Sequence, residues 1–270
     1  GSEMCIRDRS VACIENLEEG IRLVNGLDYG LTSGLQSLDE KEQKLWKNSV
    51  MAGNLYINRG ITGAIVNRQP FGGMKLSAFG GGIKAGGPNC CTCFLEITDR
   101  PESRTDYRQS YAKAYQEEFS KPRDVNRLYG EQNLFRYLPL KNMILRLFPK
   151  DTDEEATMIA HAARICRTPL TISFGPTDDR SSRLAGLGCT LRKESLEDFL
   201  KELPEYERVR TCSPDMPDVM YERAAETNKY IATAPPVKQG RIELIHYIKE
   251  QSIAFEYHRY GSISEVPPCE

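Results

Sequence analysis

From Asn142 onward, apolar strand-like runs alternate with amphipathic helical ones, and that alternation leaves few folds open. Asn142–Phe148 reads as a strand, followed by a helix over Asp153–Cys166 that opens on a Thr152…Glu155 capping box. Leu170–Phe174 is the next strand, and after a loop Ser195…Asp198 introduces a helix over Leu196–Leu203. Strand Arg208–Cys212, helix Asp218–Thr227 and strand Lys229–Ala232 complete the series. Parallel neighbours need crossover connections, so this order predicts a doubly wound parallel sheet.

The pattern is Rossmann-like, but its first strand-to-helix turn, Pro149-Lys150-Asp151-Thr152, has no glycine, and Asp151 and Asp153 add negative charge. A pyrophosphate is poorly received there, so no dinucleotide is expected on this unit. Upstream, Tyr107, Tyr111, Tyr115 and Phe119 recur every four residues, an aromatic stripe on a polar helix that reads as a docking face.

The first hundred residues have a different character. From Gln43 to Leu95 there is no Asp or Glu, while Lys44, Lys47, Arg59, Arg68, Lys75 and Lys84 are present, which predicts a locally positive potential suited to an anionic ligand. Nine of the 21 glycines lie between Gly60 and Gly87. Glycine lets a ligand approach the main chain, and successive amides in such turns converge on anions. Ile61, Ile65, Val66, Phe71 and Phe79 argue against disorder. No phosphate cradle of a standard kind is present: Lys84 is followed by Ala85, which breaks the P-loop pattern. Gly80–Ala85 meets only the relaxed dinucleotide pattern, with no credible strand before it and Gly86-Gly87-Pro88 after it. Around this segment, helices are expected over 11–25 and Asp39–Val50, the latter with an Asp39…Glu42 box. Strands are expected over Leu31–Ser37, Asn54–Asn58 and Cys90–Thr98.

The catalytic inventory is thin. His161, His246 and His258 lie on separate elements, and Cys90, Cys91 and Cys93 fall on alternating faces of the expected strand rather than in a zinc knuckle, so no metal site is expected. No cysteine is paired with a base. Nine cysteines, an odd number without regular spacing, fit reduced thiols and a cytoplasmic location. No run approaches a membrane span, and a net charge of −2 gives no pull toward nucleic acid.

Tyr29-Gly30-Leu31-Thr32-Ser33-Gly34-Leu35, Gly53-Asn54-Leu55-Tyr56-Ile57-Asn58-Arg59, Ile61–Val66 and Gln69-Pro70-Phe71-Gly72-Gly73 resemble the closing stretch of an aldehyde dehydrogenase. Gly63-Ala64, Gln69–Gly73 and Lys84–Asn89 narrow the resemblance to the L-glutamate γ-semialdehyde (1-pyrroline-5-carboxylate) dehydrogenase branch, which includes the second enzyme of the bifunctional proline utilization A proteins. Gln132–Pro139 and Glu250-Gln251-Ser252 through His258–Gly261 resemble, more loosely, the extra C-terminal domain of some long bacterial members, where it packs over the active site. The resemblance implies an NAD-dependent oxidation of a carboxylate-bearing aldehyde in proline catabolism, by a homo-oligomer when full length, with or without a fused proline dehydrogenase. It also implies that nucleophile, base and NAD fold precede the region represented here, so that this chain is a C-terminal fragment, inactive alone and not binding NAD. By resemblance, Gly63 and Ala64 supply amides to the substrate carboxylate and Phe71 packs on its methylene chain.

The expected fold class is therefore α/β: the end of an aldehyde dehydrogenase catalytic domain followed by a Rossmann-like parallel-sheet domain. The expected division is 1–10 as a non-native artefact, since Met4–Arg9 resembles translated sequencing adapter; 11–99 as the dehydrogenase part; 100–140 as a helical connector; and 141–270 as the C-terminal domain. An aldehyde dehydrogenase of other substrate choice and a non-catalytic assembly module stay open.

Overall fold

A computed structural model describes residues 11–100, 102–259 and 262–263, so the expected artefact 1–10 and residues Tyr260 and Gly261 lie outside the described residues. The predicted parallel sheet is present, in the order Ile231–Ala232, Arg208–Arg210, Met143–Arg146, Leu170–Phe174, Thr190–Lys193, every pair parallel. Counted along the chain this is 3-2-1-4-5 from one edge, the doubly wound order 3-2-1-4-5-6 without its sixth strand. Successive residues of the central strand serve opposite faces. Leu145 packs with Ile159 and Ala163 of the helix Asp153–Ile165. Ile144 packs with Phe199, Leu203 and Met220. The edge strand Thr190–Lys193 and the short helix Ser181–Leu184 were not expected, because Thr190, Arg192 and Lys193 leave Leu191 as the strand's single apolar residue.

The capping box at Thr152 forms on both sides. Glu155 N donates to Thr152 Oγ1 at 3.1 Å, and Thr152 N donates to Glu155 Oε2 at 2.8 Å. Thr152→Ala should therefore lower stability by about 1 kcal/mol, read as a shifted urea midpoint at unchanged slope. The Asp39 box does not form as expected. Asp39 caps through Lys41 N at 2.7 Å, while Glu42 accepts from Ser37 Oγ.

A second, mixed sheet has the order Thr32–Leu35, Asn54–Ile57, Ile248–Glu256, Glu131–Pro139, Arg123–Asp124. Its first three strands are parallel, and the last two pair antiparallel. Strand Ile248–Glu256 thus leaves the C-terminal unit and inserts beside Asn54–Ile57, so one sheet runs across the division expected at residue 99. The helical connector expected over 100–140 is helical only at its start. Tyr107–Ala114 is an α-helix, Tyr115–Phe119 continues it as a π-helical turn, and Glu131–Pro139 is a strand. That strand is covered on both faces, which erases the polar–apolar alternation by which it would have been read. The aromatic stripe docks within this chain: Tyr111 and Phe119 are buried, Tyr107 packs edge-on against His161, and Phe119 against Tyr137.

The strand expected over Cys90–Thr98 is instead a 3₁₀ turn, Cys90–Phe94. Asn89 O accepts from both Thr92 N and Thr92 Oγ1, which curls the chain before it can extend. Cys91 and Cys93 are accordingly exposed rather than placed on alternating strand faces.

Candidate functional site

Side chains alternate across a strand, and the mixed sheet uses its two faces for different tasks. Leu55, Ile57, Leu134 and Ile253 point into a core with Ile21 and Trp46 from the two N-terminal helices. The opposite face carries Asn54 and Tyr56, then Glu250, Ser252 and Ala254, then Asn133 and Tyr137. The glycine-rich segment lies across this polar face. Asn54 Nδ2 donates to Gly72 O at 3.0 Å, Ser252 Oγ to Pro70 O at 2.6 Å, and Gln69 Nε2 to Asn133 Oδ1 at 2.8 Å. Gly53 must be glycine for the same packing, since a Cβ there would meet Gly72 O at 2.0 Å.

The segment's far end is held by a buried polar chain. Glu250 accepts from Lys84 N at 2.7 Å and from Asn89 Nδ2 at 2.6 Å, while Arg241 Nη1 donates to Asn89 Oδ1 at 2.6 Å. Lys84 Nζ donates to Gly72 O and, at 3.3 Å, to Asn54 Oδ1. Burial pushes the Lys84 ammonium down to about 7, against an upward pull from Glu250. Burial also raises the Glu250 carboxyl above its ordinary range, opposed by its hydrogen bonds to Asn89 and Lys84. The parallel-sheet unit adds a further hold: Arg208 Nη2 donates to Gly81 O at 2.7 Å, and Tyr230 lies against Gly80 and Gly81.

These contacts answer the expected positive potential. Arg68 pairs with Glu131 at 2.7 Å, Arg59 has Glu256 at 3.5 Å, and Glu250 stands beside Lys84. Acids from the C-terminal strands thus match Arg68 and Lys84, and in part Arg59, of a segment that has no acid of its own.

Gly63, Ala64 and Phe71 occupy this segment. Gly63 has φ +130°, a backbone region for glycine, with nothing within 4 Å of a Cβ position. Gly63 and Ala64 are half-buried, and among the described residues their amides donate to no protein acceptor. Phe71, also half-buried, is bridged to Ala85 by two 3.0 Å backbone hydrogen bonds. Ala85 is thereby part of a bridge, not of a helix start, so Gly80–Ala85 has no strand-turn-helix context.

The crossover turn at which the strand pattern would place a dinucleotide is held by the chain's own groups. At the crossover after Met143–Arg146 the helix N-terminus is closed by its own Thr152 and Glu155, Phe148 N donates to Asp151 Oδ2 at 2.7 Å, and Lys150 pairs with Asp215. Those amides and that positive charge are already engaged. Asp151, Glu155 and Cys212 have ligand-type atoms within 4.8 Å of one another, but both carboxylates accept backbone amides. Burial pushes the thiols of Cys166 and Cys212 up, away from a nucleophile's range, and His161 Nδ1 lies on Arg164 at 2.8 Å. Glu250, Arg208 and Arg59 were not read as site residues; Glu250 had only the likeness of its surrounding run to mark it.

Residues 9–99 match the aldehyde dehydrogenase family. The chain is similar to that family over its first third. It is 42% identical over 82 residues to 1-pyrroline-5-carboxylate dehydrogenase of Staphylococcus haemolyticus, covering 30% of this chain and 16% of that protein. It is 41% identical over 76 residues to 1-pyrroline-5-carboxylate dehydrogenase 2 of Bacillus subtilis, covering 28% and 14%. Among solved structures, Proline Utilization A (PutA) from Corynebacterium freiburgense superposes with a TM-score of 0.71 at 33% identity, covering 93% of this chain and 25% of that one. The chain therefore spans about a sixth of the curated relatives' length, and the likeness to PutA extends through the C-terminal unit as well. No helix among the described residues is long and apolar enough to cross a membrane.

Proposed function

We propose that this chain carries the substrate-anchoring part of an NAD-dependent dehydrogenase oxidising L-glutamate γ-semialdehyde to L-glutamate in proline catabolism. The observation that carries the reading is the Gly63–Ala64 pair, two adjacent amides without acceptors among the described residues, in a segment with no acid of its own. The semialdehyde has a carboxylate at the end away from its reacting carbon. Paired amides suit that carboxylate, Phe71 suits the methylene chain, and fixing the far end of a substrate sets where its aldehyde stands. The likeness to 1-pyrroline-5-carboxylate dehydrogenases and to PutA supports this choice among aldehydes. Anchoring is the only role this reading assigns to the described residues. The oxidation itself is assigned to parts of the relatives that these residues do not resemble. A small carboxylate-bearing substrate, a cytoplasmic location and homo-oligomeric assembly complete the reading.

The purified 270-residue chain, given NAD and glutamate semialdehyde, should produce no NADH. Residues 11–99 grafted in place of the matched segment of the Staphylococcus haemolyticus enzyme should keep activity. That graft should prefer glutamate semialdehyde at least tenfold in kcat/KM over an uncharged aldehyde of the same length, a difference of about 1.4 kcal/mol. A folded graft without the preference, or NADH from the chain alone, would sink the reading.

A further inference from the structure

Three buried side chains under the glycine-rich segment carry polar atoms without partners among the described residues: Tyr56 Oη, Arg59 Nε and Nη1, and Asn133 Nδ2. Tyr56 is 1% exposed, Asn133 5%, and the Arg59 side chain 9%. Their positions converge on one residue. Tyr56 and Asn133 are the two register partners of Ala254, one on each side, so the three form a row on the loop-facing side of the sheet. The Arg59 guanidinium carbon lies 5.1 Å from the Tyr56 ring centroid. Along the strand from Ala254, Glu256 approaches Arg59 Nε at 3.5 Å in one direction, and Ser252 holds Pro70 O in the other. Gln69 reaches Asn133 Oδ1 from above. The loop from Arg59 to Pro70 therefore roofs this row, whose central side chain is only a methyl group.

The chemistry of the unpartnered atoms is one-sided. A guanidinium and an amide NH₂ can only donate, and a tyrosine hydroxyl can donate as well. Leaving such donors buried without acceptors gives up their hydration with nothing in return, and a guanidinium favours an acceptor that is charged. Glu256 offers Arg59 only partial compensation, since its side chain is 43% exposed and its oxygen stands beyond hydrogen-bond reach.

We propose that Tyr56, Arg59 and Asn133 form a buried site for one small monovalent anion, halide or small carboxylate, beneath the loop that carries Gly63 and Ala64. The anion closes the donor set and ties the turn at Asn58, which has φ 59°, to the sheet below it. The site is separate from the Gly63–Ala64 amides and stands whether or not those anchor a substrate.

The test is urea unfolding of the 270-residue chain at constant ionic strength, with gluconate, too large to enter, replaced stepwise by chloride, bromide or acetate. Stabilisation should saturate as for one site, the unfolding constant falling about elevenfold at a tenfold excess over Kd. The halide and acetate arms separate the two sources of the ligand. Arg59→Met and Tyr56→Phe should lose the dependence; Tyr56→Phe removes one hydroxyl at unchanged ring shape and carries the test should Arg59→Met not fold. A crystal soaked in bromide should show anomalous scattering within hydrogen-bond reach of Arg59. Equal stability in all the anions, or an unchanged anion dependence in Tyr56→Phe, would overturn the proposal, as would a bromide soak without a peak at Arg59 where bromide is an anion that stabilises.

Discussion

Glu250→Ala should cost the chain about 3–5 kcal/mol and detach the glycine-rich segment from the sheet at its far end. Glu250 is 2% exposed, and it is the shared acceptor of Lys84 N and Asn89 Nδ2. Removing the carboxylate leaves the Lys84 amide buried and unmatched, leaves Asn89 Nδ2 with Tyr137 Oη alone, and takes away the negative charge beside the buried Lys84 ammonium. Asn89 also holds Arg241, so the loss spreads to the turn that starts at Cys90. Urea unfolding measures the total. Hydrogen exchange at the Lys84 amide should accelerate by more than the global loss explains, because that amide loses its acceptor directly. An unchanged urea midpoint would contradict the assignment of Glu250 as the clamp.

The same pair sets a pH dependence with a definite sign. Lys84 falls from 10.5 to about 7 in the folded chain, so between those values the unfolded chain binds more protons. Stability from this group therefore rises as pH climbs from about 7 toward 10. Glu250 is displaced upward, so its contribution is present below its ordinary value of 4.5 and is lost as pH rises through its raised value. Urea midpoints should accordingly climb on the alkaline side in the native chain, and Lys84→Met should flatten that climb.

How much of this was legible depends on where each residue's partner lies. The parallel sheet was readable, apart from its edge strand Thr190–Lys193, because its other strands and main helices announce themselves locally: Leu170–Phe174 by its apolar run, Asp153–Ile165 by Thr152 and Glu155. Strand Glu131–Pro139 was not, because covering both faces removes the alternation that marks a strand at a surface. The glycines and the missing acids marked the loop, yet suggested an open positive patch. Its compensating acids sit on strands far along the chain, Glu250 being 166 residues from Lys84, and no local pattern reports such a pair. Gly63 and Phe71 were recognised by likeness to known motifs, whereas Tyr56 and Asn133 flank Ala254 only through sheet register, and Arg59 reaches them only over the Tyr56 ring.

Gly53→Ala and Gly63→Ala add the same methyl group for opposite physical reasons, and their outcomes should separate anchoring from scaffolding. At Gly53 the methyl lands 2.0 Å from Gly72 O and 2.8 Å from Gly73 Cα, both backbone, with no flexible side chain to yield. The cost should reach about 3 kcal/mol, the upper end for overpacking, because Gly72 O is also the acceptor of Asn54 and Lys84. At Gly63 there is space for the methyl, but φ +130° does not suit a residue with a Cβ, and the strain of about 1–3 kcal/mol turns the amide instead. In the grafted dehydrogenase, turning the Gly63 amide should remove a hydrogen bond to a charged group, about 1.5–3 kcal/mol. That lowers kcat/KM for glutamate semialdehyde tenfold or more and leaves an uncharged aldehyde nearly unaffected. Gly53→Ala should lower both substrates together, since displacing Gly72 moves Phe71, the wall proposed for the apolar part of either aldehyde. Equal losses for both substrates in Gly63→Ala would mean that the Gly63 amide is part of a turn and holds no carboxylate.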